Sequence, residues 1–184
     1  MTVLDLFARW RVRLGYLLAV VVLLLARPTP ISIFIGALVA AIGLAIRAYA
    51  AGYLHKQEIL TTSGPYAYTR NPLYFGSSLL AVGAAIAMRS WWAALLLLVY
   101  FVSVYRIVMR REEIELRLKH GAAFDAYAAR VPLFFPHVSS STPIDDTKVG
   151  FSWQQFRKNH EHQAILGFLL LLLALVVIWR LRAH

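Results

Sequence analysis

Five apolar runs decide what this chain can become. Leu14–Ala26, Ile31–Leu54, Pro72–Met88, Trp91 to about Met109 and Ala164–Trp179 carry almost no charge, and their lengths bracket the roughly 20 residues with which a helix crosses a bilayer. Across the 184 residues 60% are hydrophobic and 15% charged, with a mean hydropathy of +0.62. That is more apolar surface than the core of a soluble domain this size can take up. The pattern predicts an all-α, polytopic membrane bundle of about five transmembrane helices, a single domain over residues 1–184 with no internal repeat and no convincing strand. Within it, 1–54 reads as an N-terminal helical hairpin and 55–136 as a core. Residues 137–184 read as an interfacial segment followed by the last membrane helix.

The connections refine this picture. The lead-in holds Arg9, Trp10, Arg11 and Arg13, and because the first run is short, its helix is expected to extend back past Arg13 with those arginines snorkelling to the headgroups. A cleavable secretory leader is the competing reading. Against it, Arg27-Pro28-Thr29-Pro30 has the character of a tight hairpin connection, and a second apolar run starts at once. That second run carries small residues at four-residue spacing, Gly36 with Ala40, Ala41 with Ala45 and Ala48 with Gly52, the pattern of closely packed helices in lipid. Arg47 lies inside it, where a charge costs about 3 kcal/mol unless it snorkels or faces a polar site. Arg89-Ser90 is a minimal turn that folds the third and fourth runs into an antiparallel hairpin. Ser139–Thr147 reads as the least structured stretch. Phe151–His162, with Phe151, Trp153 and Phe156, reads as a segment lying in the membrane interface.

Charge and composition exclude several function classes. With no cysteine, a disulfide framework, thiolate catalysis and cysteine-ligated metals are ruled out. The net charge of +10 does not point to nucleic acid, since the basic residues flank apolar runs; anionic membrane lipids are the expected partner. If the N-terminus is cytoplasmic, fourteen of the 19 lysines and arginines fall on cytoplasmic segments and four outside, with Arg47 in a span. This orientation puts the C-terminus outside and brings 55–74 and 106–163 to one cytoplasmic face. His160-Glu161-His162 and His55 share that side, but residues two apart do not share a helix face, so no metal site is expected.

Two constellations on that face carry chemistry. The first is Gly64 to Tyr74, where Pro72 suits a first helical position and Asn71 an N-cap. Free backbone N–H groups, Arg70 and the tyrosines Tyr66, Tyr68 and Tyr74 then gather at one helix start, where an anionic group is welcome. A membrane-surface turn with interfacial tyrosines is the plainer reading. The second constellation is Glu112-Glu113 with Leu116, Gly121, Phe124, Tyr127 and Val131-Pro132. Two acids directly after a span need cationic or aqueous company. Either Arg110 and Arg111 supply it on a solvated helix, or one glutamate faces the Asn71 region and holds the positive part of a small polar cofactor.

Gly-Pro-Tyr-x-x-x-Arg-Asn-Pro-x-Tyr, a helical hairpin, then Glu-Glu-x-x-Leu-x-x-x-x-Gly-x-x-Phe-x-x-Tyr-x-x-x-Val-Pro resembles the isoprenylcysteine carboxyl methyltransferase and phospholipid methyltransferase superfamily, over roughly Gly52 to Pro136. The resemblance implies an S-adenosylmethionine site on the cytoplasmic face, with Tyr66, Asn71, Pro72, Leu73, Tyr74 and Glu112 against the cofactor and Glu113 behind them. It also implies methyl transfer to a small lipophilic acceptor entering from the bilayer, with Arg70 and Arg106 as candidate catalytic residues that orient an anionic substrate. No metal and no covalent nucleophile are called for. Three positions depart from the family pattern. Asn71 stands where histidine is common, and its amide donates a hydrogen bond but does not titrate. Val108 stands where the prenylcysteine enzymes have an arginine that meets the substrate carboxylate. Leu133 stands where the second motif usually continues with arginine. Two other function classes are a sterol-reductase-like membrane oxidoreductase using NADPH, whose Arg-Asp-Glu type motif compares with Arg111-Glu112-Glu113, and a non-catalytic membrane scaffold.

Overall fold

The computed structural model describes residues 3–55, 59–137 and 150–182, with side chains from residue 14 onward. The described residues form α1 (Val3–Leu25), α2 (Pro30–Tyr53), a 3-10 turn at Gly64–Ala67, α3 (Pro72–Met88), α4 (Trp91–His120), α5 (Ala122–Arg130), α6 (Trp153–Lys158) and α7 (Glu161–Arg182). No strand occurs among them, and the all-α expectation holds. Ser139–Thr147 and the side chains of Arg9, Trp10, Arg11 and Arg13 lie outside what is described.

By length and composition α2, α4 and α7 are able to cross a membrane; α3 and the Leu14–Leu25 part of α1 are apolar but shorter. The 17 residues of α3 rise about 25 Å, against a hydrocarbon core of about 30 Å. Of the five expected spans, three are therefore long and apolar enough to cross, α3 is shorter, and α1, 23 residues in all, is apolar over its Leu14–Leu25 part. Large apolar side chains such as Leu98, Val99, Leu169 and Leu173 point outward, the arrangement a lipid solvent allows and water does not.

Local signals set the helix ends. Thr29 and Ser32 form a reciprocal capping box, Ser32 N–H donating to Thr29 Oγ1 at 3.2 Å and Thr29 N–H to Ser32 Oγ at 2.9 Å, with Pro30 in the first helical position. Arg89 turns the chain in the left-handed region at φ 49°, and Ser90 caps α4 by accepting from Ala93 N–H at 3.4 Å. The fourth apolar run and the polar helix after it are one unbroken rod of 30 residues. About 45 Å long, it carries Glu112 and Glu113 beyond its apolar part.

The tightest packing is between α2 and α3. A methyl group on Gly43 would sit 2.5 Å from the carbonyl oxygen of Gly76, and one on Gly83 would sit 2.5 Å from that of Gly36. The two antiparallel backbones thus touch at two levels, two turns apart, as small-residue spacing in lipid predicts. Gly36 and Ala40 belong to this seam, whereas Ala41 and Ala45 are exposed; Gly43, off the four-residue pattern, supplies the second contact. Val22, Ala26, Ala87, Met88, Ala93 and Leu175 close the core at one end. At the other, Phe124, Tyr127 and Val131 pack under Leu60.

The segment before α7 is docked on protein. Phe151 lies against Gly52 and stacks at 6.3 Å on Tyr49. Ser152 N–H donates to Gly52 O at 2.9 Å, and Asn159 Nδ2 donates to the carbonyls of Ala51 and Leu54 at 2.8 and 2.9 Å. These bonds satisfy carbonyls at the C-terminal end of α2 that have no partner within the helix. Trp153 and, to a lesser degree, Phe151 remain exposed, as rings of an interfacial segment would.

Candidate functional site

The two constellations meet because the segment after α5 runs back along the first motif. Arg70 N–H donates to Pro132 O and His137 N–H to Tyr68 O, both at 2.9 Å. Thr69 Oγ1 donates to Phe134 O and Asn71 Nδ2 to Leu133 O, again at 2.9 Å. Asn71 does occupy the N-cap position of α3, with Pro72 first in the helix, but its side chain makes no capping bond. The amide is committed across the motif instead, because an acceptor from the second segment lies within its reach. Leu133 takes part through its carbonyl, which any residue supplies, so the departure at this position leaves the contact intact.

Tyr66 is packed rather than open, with 7% of its surface exposed. Tyr127 donates its hydroxyl to the Tyr66 carbonyl at 2.6 Å, tying the 3-10 turn to α5. Burial pushes the phenols of both Tyr66 and Tyr127 upward, in Tyr127 against an opposing pull from Arg70, and both stay protonated at neutral pH.

Both glutamates turn back to the first motif. Tyr74 donates its hydroxyl to Glu112 Oε1 at 2.6 Å, and the Arg70 guanidinium forms an ion pair with Glu113. Arg111 instead bridges to Glu115 at 3.0 Å along the helix, and Arg110 is exposed. The reading in which the acids pair with their own arginines is therefore overturned. The two carboxylates differ: Glu113 is three-quarters covered, while Glu112 is exposed. Arg70 also lies 6.0 Å over the Phe124 ring, and its Nε is buried without a hydrogen-bond partner among the described residues. The Tyr74 ring meets Tyr105 edge-on at 5.0 Å, and Tyr105 stacks on Phe101 at 4.1 Å, giving the site one aromatic wall.

Arg106 is not brought to this group. It is exposed on α4, seven residues before Glu113 and so on nearly the same helix face but about 10 Å back along the rod, toward its apolar part.

Sequence reasoning missed what lies beneath Leu73. Arg47 forms a bidentate pair with Glu161, Nε to Oε2 at 3.0 Å and Nη2 to Oε1 at 2.6 Å. It also donates to Ser77 Oγ and to the Leu73 carbonyl. Arg47 therefore neither snorkels nor opens into the site: it fixes the first turn of α3 to α7. Glu161, expected in an interfacial segment, is the buried first residue of α7. A single cation in one span and a single acid at the head of another was the signal that pairs them.

Among the described residues no group of three or more His, Asp and Glu residues could hold a metal ion. Three long apolar helices in an all-α bundle, with a polar motif at one end, define an integral membrane protein. The chain belongs to the phospholipid methyltransferase family, whose sequence model matches residues 14–121. That family is part of the isoprenylcysteine carboxyl methyltransferase-like group of membrane methyltransferases. The match includes the first motif and the Glu112–Gly121 part of the second, so α5, the segment after it, and α7 with Glu161 lie beyond it. The chain is also similar to the nickel-cobalt-cadmium resistance protein NccN of Alcaligenes xylosoxydans xylosoxydans, 37% identical over 46% of this chain and 39% of that protein. It is 32% identical to the cobalt-zinc-cadmium resistance protein CzcN of Cupriavidus metallidurans, over 60% of this chain and 52% of that one. The chain thus spans about half the length of these relatives or less. No solved structure matches it.

Proposed function

We propose that this protein is an S-adenosylmethionine-dependent methyltransferase acting on a small lipophilic acceptor at the cytoplasmic membrane face. The observation that carries the reading is the opposed pair at the start of α3: an exposed Glu112 held by Tyr74, and a partly buried Arg70 whose buried Nε has no partner among the described residues. A buried N–H left unpaired costs about 1–3 kcal/mol, a cost that a ligand oxygen removes. S-adenosylmethionine carries a carboxylate, an ammonium, a sulfonium and an adenine ring. The chain offers matching groups: the Arg70 guanidinium and α3 backbone N–H groups, the Glu112 carboxylate, and the Tyr74–Tyr105–Phe101 wall. The residues present therefore fit the group.

The cofactor supplies an electrophilic methyl carbon on sulfur, so the protein's task is alignment and the exclusion of water. Glu113 holds Arg70 in one place, Arg47 holds the Leu73 carbonyl, and Asn71 fixes the 131–137 segment across the top. Glu112, which accepts from Tyr74, brings the negative charge that faces the cofactor's positive groups. Because Val108 replaces the arginine that would meet a prenylcysteine carboxylate, the acceptor is neutral or amine-bearing.

The test is retention of labelled S-adenosylmethionine against NADPH by purified protein. Glu112→Gln should weaken S-adenosylmethionine binding about ten- to a hundredfold. Glu115→Gln, which removes a carboxylate paired at the exposed surface with Arg111, should leave it nearly unchanged. NADPH retention alone would favour the oxidoreductase class, and retention of neither the scaffold. For the acceptor, amine lipids should be methylated in preference to a farnesylcysteine analogue. High wild-type turnover of that analogue, unaltered by Val108→Arg, would sink the argument from Val108.

A further inference from the structure

The end of the bundle away from the two motifs is assembled from three pieces distant in sequence. These are the turn between α1 and α2, the turn between α3 and α4, and the last turn of α7. Arg27 N–H donates to Met88 O at 2.8 Å, and Ser32 Oγ donates to Ala87 O at 3.1 Å. Arg182 donates to the carbonyls of Ala26 and Leu24 at 2.5 and 3.2 Å, satisfying groups at the C-terminus of α1 and fixing its own guanidinium. Around these bonds opens a cavity of about 550 Å³ whose polar lining is Arg27, Thr29, Arg89 and Arg182. It shares Leu24 and Arg182 with a second cavity of about 270 Å³, an apolar groove between α1 and α7 lined also by Val20, Leu23, Ile178 and Leu181.

Among the described residues the charge here is uncompensated. Residues 15–53, 72–111 and 162–184, which supply all three pieces, contain no aspartate or glutamate. Arg27, Arg89 and Arg182 therefore face one cavity that no carboxylate lines among the described residues. A free side chain would swing away from like charges, but Arg182 is pinned by two carbonyls and the other two are carried on stitched turns. Such a cluster calls for an anion able to accept several N–H groups at once, and phosphate oxygens meet guanidinium forks in this way. The apolar groove that runs from the same mouth calls for a hydrocarbon chain.

We propose that this end of the bundle binds one anionic phospholipid, its phosphate on Arg27, Arg89 and Arg182 and an acyl chain in the α1–α7 groove. The occupant is a lipid rather than free phosphate because the groove adds apolar contact that a bare anion does not use. The site is separate from the methyltransferase motif and stands whether or not that reading does.

Native mass spectrometry of the detergent-purified full chain tests it, with dioleoylphosphatidylglycerol and dioleoylphosphatidylcholine as probes. One phosphatidylglycerol should be retained per protein, and Arg27→Gln/Arg89→Gln should weaken retention about tenfold or more. Val20→Trp keeps every charge but fills the groove, and should weaken it as well. Arg111→Gln/Arg117→Gln, which removes two exposed arginines from α4, should have no effect. Elution volume and melting temperature report that each variant is folded. Equal loss in both double variants, or loss in neither, would mean annular lipid only and overturn the proposal. Full displacement of phosphatidylglycerol by millimolar inorganic phosphate would overturn the lipid assignment.

Discussion

The two ends of this bundle are both rich in arginine and are built on opposite terms. At the motif end each structural cation has its own acid, Arg47 with Glu161 and Arg70 with Glu113, and the pairs hold helices together. At the far end Arg27, Arg89 and Arg182 share a cavity without a carboxylate among the described residues, and their side chains answer to backbone carbonyls or to whatever enters. The difference teaches that an arginine's worth here depends on what surrounds it. A buried pair is costly to break from one side, while an exposed cation costs little to remove.

That contrast is tested most strongly by Arg47→Ala. The pair is 19% and 7% exposed at its two side chains, so removing the arginine strands a buried carboxylate and should cost about 3–5 kcal/mol. Arg89→Gln at the far end should move stability by no more than about 0.5 kcal/mol. Detergent-solubilised thermal melts of both variants decide the matter, and equal effects would abolish the distinction.

A smaller effect separates the two glycine contacts of the α2–α3 seam. Gly76→Ala and Gly83→Ala both push the helices apart, at a cost on the order of 1–3 kcal/mol. A methyl group at Gly76 would also sit 2.7 Å from Arg47 Cγ, whereas one at Gly83 meets Gly36 and Ala40. Gly76→Ala should therefore weaken S-adenosylmethionine retention beyond its loss of stability, and Gly83→Ala should not. Melting and ligand retention measured on the same samples separate the two outcomes.

The smallest effect expected is Tyr127→Phe, about 1 kcal/mol for the lost bond to the Tyr66 carbonyl. Its pH signature is more telling. Burial raises the folded-state pKa of Tyr66 and Tyr127 above the ordinary value of 10.0. Their contribution is thus fully present below about pH 10 and is lost as pH rises past it toward the folded-state values. Tyr127→Phe should shallow that alkaline loss of stability. An unchanged alkaline slope would remove Tyr127 from the group that titrates.

How far the site was legible follows from these same residues. Glu112 and the Arg70–Tyr74 turn could be read because each motif is local, and its order and spacing are visible in one stretch of chain. Asn71 could be read as the N-cap, but not the bond of its amide, because the acceptor comes from a segment 62 residues away. Glu161 escaped because a short acidic gap between two histidines resembles any polar lead-in.

The sequence by itself determined the elements: apolar runs long enough to leave water, Thr29-Pro30, Asn71-Pro72 and Ser90 to start helices, and Arg89 and Gly121 to stop them. These are properties of neighbouring residues and of the solvent each run prefers. The tertiary structure alone decided which charges met. Whether Arg47 snorkels or pairs depends on where α7 begins and how closely Gly43 lets α3 approach α2. A buried charge is settled by the groups that packing brings within a few ångströms, and its neighbours in the chain do not specify them.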